Sequence, residues 1–84
     1  MPRRKLDARQ RARAQRLGSF LAESRVASGL SQEGLARSAD VSVDTLRSVE
    51  QHRTSEPSFF LIAALAHPLD LSLDRVAKQA EGDA

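Results

Sequence analysis

Cysteine is absent from the 84 residues, which excludes disulfides and thiolate zinc sites, and the two histidines, His52 and His67, are too few for a structural metal site. Tryptophan and tyrosine are also missing. The three aromatics are all phenylalanine, so there is little on which an unpaired nucleic-acid base would stack. The longest apolar run, Phe59 to Ala66, falls far short of a membrane span, and no apolar segment follows the basic N-terminus as a signal peptide requires. Paired carboxylates at a helical spacing and a glycine-rich phosphate cradle are not found either, so nothing points to catalysis. The expectation is a cytoplasmic, non-enzymatic protein without membrane attachment, metal or cofactor.

What is present is unevenly charged. The net charge is +2, but residues 1–16 carry seven basic side chains (Arg3, Arg4, Lys5, Arg9, Arg11, Arg13, Arg16) against Asp7, which is +6, while the remaining six basic and ten acidic residues give −4. Leu6 is the only large apolar residue of that stretch besides Met1. Its Ala, Arg and Gln content permits helix from Asp7 onward, yet supplies no apolar stripe to pack one. Residues 1–16 are therefore read as a basic arm, flexible or conditionally helical. Its functional reading is attraction to DNA phosphates, with Arg3, Arg4 and Lys5 as contacts; the alternative is a solvated or membrane-attracted tail.

Residues 17–79 read as one small all-α domain, followed by a tail of residues 80–84 with no structural signal. Leu17, Phe20, Leu21 and Ala27 fall near one face of a first helix that Gly29 ends, and Leu30 points back inward. Arg25, four residues after Leu21, is out of place so close to that face, and needs either an outward path or a carboxylate. Ser31 caps a second helix with Leu35, Ala36 and Ala39 inward. Gly34 in that helix either permits a close neighbour or is a weak spot. Asp40, Val41 and Ser42 form a tight turn in which Asp40 takes the left-handed residue, Val41 tucks between helices and Ser42 caps the next. The third helix, Val43 to Glu50, buries Leu46 and Val49 and leaves Val43, Asp44, Thr45, Arg47 and Ser48 outside.

After a polar loop from Gln51 to Pro57, Ser58 caps a fourth helix with Phe59, Ile62, Ala63, Leu65 and Ala66 inward and Phe60 and Leu61 as apolar surplus. Pro68 breaks it, and Leu69 and Leu71 return to the core. Ser72 then caps a last helix holding Leu73, Val76 and Ala77.

Two short helices across a tight turn, Ser31 to Glu50, form a helix-turn-helix pattern. Taken with Leu17-Gly18, Arg25, GLSQEGLA (Gly29 to Ala36), Val41-Ser42, Leu46, Glu50, Pro57-Ser58 and the segment Leu65 to Asp74, the chain resembles the lambda-repressor-like domains of phage repressors, Cro proteins and Xre-type regulators. The resemblance covers residues 17 to about 79 and implies a compact five-helix fold, to which the basic arm read from residues 1–16 is joined. It implies an ion pair between Arg25 and Glu50, a phosphate or base contact from Gln32, and a major-groove face of Val43, Asp44, Arg47 and Ser48, beside which Ser42 and Thr45 are further candidates for DNA contact. Arg53 and Thr54 fall in the loop that meets the DNA backbone in relatives. Asp40, His52 and Asp70 stand where relatives usually carry glycine, and Glu56 lies in a loop that usually brings positive charge.

The function so implied is sequence-specific binding of double-stranded DNA by a transcriptional regulator, most simply a repressor, acting as a homodimer. With 84 residues the dimer interface is expected on the globule itself, and Phe60 and Leu61 are the candidates because relatives usually leave those positions polar; the alternative is that they enlarge the core. The competing function is that of an antitoxin, which holds a toxin or other protein partner and also represses its own operon.

Overall fold

The computed structural model describes residues 8–82, and these form five helices: α1 (Ala8–Ala27), α2 (Gln32–Ala39), α3 (Val43–Glu50), α4 (Phe59–Ala66) and α5 (Leu73–Glu81). Arg3, Arg4 and Lys5 lie outside the described residues. The helix starts follow from local hydrogen-bond chemistry. Ser31, Ser42, Ser58 and Ser72 each stand in extended backbone, and each hydroxyl accepts from the backbone N–H three residues on, at 2.9–3.1 Å. These are side-chain caps satisfying amides that the first helical turn leaves unpaired.

The stops follow from left-handed backbone. Gly29 after α1 has φ 75°, and Asp40, which caps α2, has φ 59° and donates its N–H to Arg37 O. His52 and Asp70 are left-handed as well, at 64° and 56°. The three positions where relatives usually carry glycine thus keep the backbone that glycine would have provided. Asp bears this more easily than His, because a short polar side chain can bond locally.

Leu21, Leu35, Ala36, Leu46, Val49, Leu65 and Leu69 make one buried cluster, with Leu17, Leu30, Ala39, Val41, Ile62 and Leu71 packed around it. Of the two helices of the helix-turn-helix, α3 rests mainly on α1 and α2 on α4. Several side chains expected in the core lie outside it: Phe59 is 63% exposed, Leu73 sits at the surface, and Ala27 and Ala77 are exposed. No other helix approaches Gly34, since a Cβ there would meet only Ser31 Oγ and Leu30 Cδ2. It is a weak spot in α2.

The boundary of the arm also shifts. Residues 8–16 belong to α1, a helix of 20 residues, in which Gln10 and Ala14 are buried. Gln10 Nε2 donates to Glu56 at 3.3 Å, Arg16 Nε donates to the carbonyl of Ala80 at 2.8 Å, and Arg13 pairs with Glu81 at 3.7 Å. Ala80 is itself buried, so α5 runs into the stretch expected to be an unstructured tail. Small and polar residues do this packing, which explains why no apolar stripe marks it. Arg16 meets the last carbonyls of α5, where a cation is favoured by the helix dipole.

Candidate functional site

The helix-turn-helix is fixed from beneath before it presents anything outward. Arg25 on α1 reaches the end of α3 with a two-pronged contact: Nε lies 2.7 Å from Glu50 Oε2 and Nη2 lies 3.2 Å from Glu50 Oε1. Its third nitrogen, Nη1, donates to the carbonyl of Leu30 at 2.8 Å, tying in the chain before α2. The two side chains are 14% and 4% exposed, so this is an ion pair largely withdrawn from water. Among the described residues no buried side-chain polar atom is left without a partner. The pairing of Arg25 with Glu50 expected from the resemblance is present, and it resolves the position of Arg25 near an apolar face.

From Glu50 the polar chain continues outward. Gln32 Nε2 donates to Glu50 Oε1 at 3.0 Å, and Gln32 Oε1 accepts from Arg47 Nε at 3.1 Å. Arg47 in turn donates from Nη2 to Glu33 at 3.2 Å and places Nη1 3.7 Å from Asp44. Gln32, Asp44 and Arg47, each a candidate for DNA contact, come together on one surface. Glu33 joins them from the first turn of α2, although nothing in the sequence marked it as part of this surface.

The remaining residues of the expected face are less uniform. Ser42 and Asp44 are exposed, whereas Thr45 and Ser48 are half-buried. Ser42 Oγ donates to Thr45 Oγ1 at 2.7 Å, so both hydroxyls are engaged at the start of α3. Val43 departs from its expected outward position: it is half-buried and packs against the core cluster. Arg53 is exposed in the loop after α3, and its N–H and that of Thr54 both donate to the carbonyl of Ser48, folding the loop back on the helix.

Phe60 and Leu61, paired in the sequence reading, separate. Leu61 is half-buried against the core, while Phe60 is 79% exposed and meets the Phe59 ring edge-to-face at 5.4 Å between centroids. Beside this pair runs an apolar groove lined by Leu17, Phe59, Ile62, Leu73, Val76 and Ala80. Among the described residues no helix is long and apolar enough to cross a membrane, and no cluster of ligands suits a metal ion.

A family profile described as a helix-turn-helix domain matches residues 16–79. Among solved structures, the clp gene regulator ClgR from Corynebacterium glutamicum is similar, at 31% identity and a TM-score of 0.75, over 83% of this chain and 73% of that one. No curated protein matches the chain.

Proposed function

The chain belongs to the helix-turn-helix domain family, and on that premise we propose that it is a transcriptional regulator that binds double-stranded DNA in a sequence-specific way. One observation carries the reading. The helix α3 is capped at its start by Ser42 and anchored at its end through Glu50, yet keeps Asp44 exposed and Arg47 and Ser48 partly accessible on its outer side. A short helix held rigidly with a polar outer edge is what major-groove reading requires, because base edges are distinguished by hydrogen bonds of fixed geometry. The gene-regulator identity of the similar structure supports the same reading. Selection of bound sequences from random duplex DNA tests it: a recurring motif is the expected result. Failure to enrich any motif, with a small protein partner co-purifying instead, would favour the antitoxin alternative.

The protein acts as a dimer in this proposal, and most simply as a repressor. One short helix covers few base pairs, and two copies on half-sites a helical turn apart multiply the affinity. The exposed Phe59–Phe60 pair beside an apolar groove supports a second copy docking there. Since Phe60 is 79% exposed, Phe60→Glu is expected to leave the chain folded and to convert a dimer into a monomer in sedimentation. A variant that still sediments as a dimer removes Phe60 from the interface.

Grip on the phosphates falls partly to residues 1–7 in this proposal, because residues 8–84 carry ten basic and ten acidic side chains and so no net charge, and Glu56 adds negative charge in the loop after α3. Removing residues 1–7 takes away Arg3, Arg4 and Lys5 without cutting into α1. Affinity is expected to fall by roughly tenfold or more, and the slope of log K against log salt to flatten by up to about three. Equal affinity and equal slope would assign the arm to another role.

A further inference from the structure

Arg47 is the only basic side chain of α3, and each of its three guanidinium nitrogens is engaged within the chain: Nε with Gln32, Nη2 with Glu33 and Nη1 beside Asp44. The Gln32 amide accepts there because its own nitrogen is committed to Glu50, which Arg25 fixes in turn. The direction of the amide is thus set from the buried ion pair outward, and Gln32 is a positioning residue for Arg47. Two carboxylates then surround one cation. Their side chains are 60% and 91% exposed, so the contacts contribute little to stability. Their larger consequence is electrostatic: the one basic group of the reading helix presents itself to DNA already neutralised, with an excess of negative charge around it.

A phosphate and a guanine respond differently to such an arrangement. A phosphate offers attraction without sequence information, and near Glu33 and Asp44 that attraction is cancelled. A guanine offers O6 and N7 together, matching the planar guanidinium fork in two parallel hydrogen bonds. We propose that Glu33 and Asp44 are specificity-determining residues, which withhold Arg47 from phosphate oxygens and release it only to a base edge that engages it twice. The inference rests on the DNA-binding reading above. It assigns discrimination partly to a repulsive element, as specific interfaces commonly require. On a mismatched duplex Arg47 stays with its acids and the carboxylates oppose the nearby phosphates. On a matched one the guanine replaces both acids.

The test uses the full chain, a duplex enriched by it from random sequence, and a scrambled duplex of the same length and composition, at one fixed salt concentration. Glu33→Gln is expected to tighten binding to the scrambled duplex by about threefold or more and to tighten binding to the enriched duplex less, so that the ratio of the two affinities falls. Asp44→Asn is expected to act in the same direction. Glu23→Gln, which neutralises an exposed carboxylate on α1 near Phe20 and Gln79, provides the charge control and should tighten both complexes equally. In an Arg47→Met background the effect of Glu33→Gln on the ratio should vanish, since the cycle isolates the coupling between the two. Equal tightening on both duplexes, or an undiminished loss of ratio without Arg47, overturns the inference while leaving DNA binding intact. A parent chain that binds neither duplex overturns the DNA-binding reading and this inference with it.

Discussion

Arg25→Ala is expected to destabilise the domain by about 3–5 kcal/mol, the usual cost of removing one partner from a buried ion pair. The variant leaves Glu50, whose side chain is 4% exposed, with the Gln32 amide as its remaining partner from α2, and it also frees the Leu30 carbonyl. A charge so placed recovers little hydration. Native domains are stable by only about 5–15 kcal/mol, so the variant should unfold over a range that includes ordinary growth temperatures. Arg25→Lys should recover part of the loss, because an ammonium keeps the charge but cannot reproduce the two-pronged contact at 2.7 and 3.2 Å together with the bond to Leu30 O. Replacing both members by Met and Leu would separate the worth of the pair from the penalty of breaking it, and such double replacements are often close to neutral. A thermal melt of Arg25→Ala within a degree or two of the parent would refute the assignment.

The misplacement of Arg25 beside an apolar face was visible in the residues alone, but which carboxylate would answer it was not. Glu50 lies 25 positions away, and only the resemblance joined the two. The same division runs through the fold. Caps and stops were legible because they are local: a serine before an apolar repeat, or an aspartate where the chain must turn, acts within three or four residues. Burial was less legible wherever the pattern had no contrast. The run FFLIAALA is apolar all round, so its period does not say which face turns inward, and Phe59 was placed in the core when it is exposed. Residues 8–16 failed in the opposite sense, since Gln10 and Ala14 are buried by fitting close to neighbours rather than by being hydrophobic.

The candidate site shows a third kind of difficulty. Its members came from resemblance and from helix faces, and Gln32, Asp44 and Arg47 do assemble. What the one-dimensional pattern could not express is that they face one another. Arg47 belongs to the expected groove face, yet within the chain it already has three partners, two of them contributed by α2 as Gln32 and Glu33. Side chains 14 and 15 positions apart meet only because the turn at Asp40 sets the two helices at a fixed angle. The site is thus a property of the turn as much as of the residues.

The end of α3 is also held by its close approach to α1, which Gly18 permits. A Cβ added to Gly18 would lie 2.3 Å from the carbonyl oxygen of Val49, 2.8 Å from His52 Nδ1 and 3.1 Å from the carbonyl of Glu50. His52 can swing aside, but the two carbonyls are backbone and move only if the helices separate. Gly18→Ala removes a poor helix residue, a gain of about 1 kcal/mol in an exposed helix interior. Overpacking of a close interface typically costs about 1–3 kcal/mol and sometimes more, and here a further cost follows. The displaced carbonyls belong to the turn that carries Glu50, so separating the helices also stretches its contact with Arg25. We expect a net loss of about 3 kcal/mol, read as a fall in Tm of roughly 12–24 °C for a domain of this size. Because both substitutions act on one contact, Gly18→Ala combined with Arg25→Ala should cost less than their separate losses added together. An alanine variant that melts at or above the parent would mean that α1 and α3 do not approach as closely as Gly18 permits, and full additivity would mean that the close approach and the ion pair stabilise the domain independently.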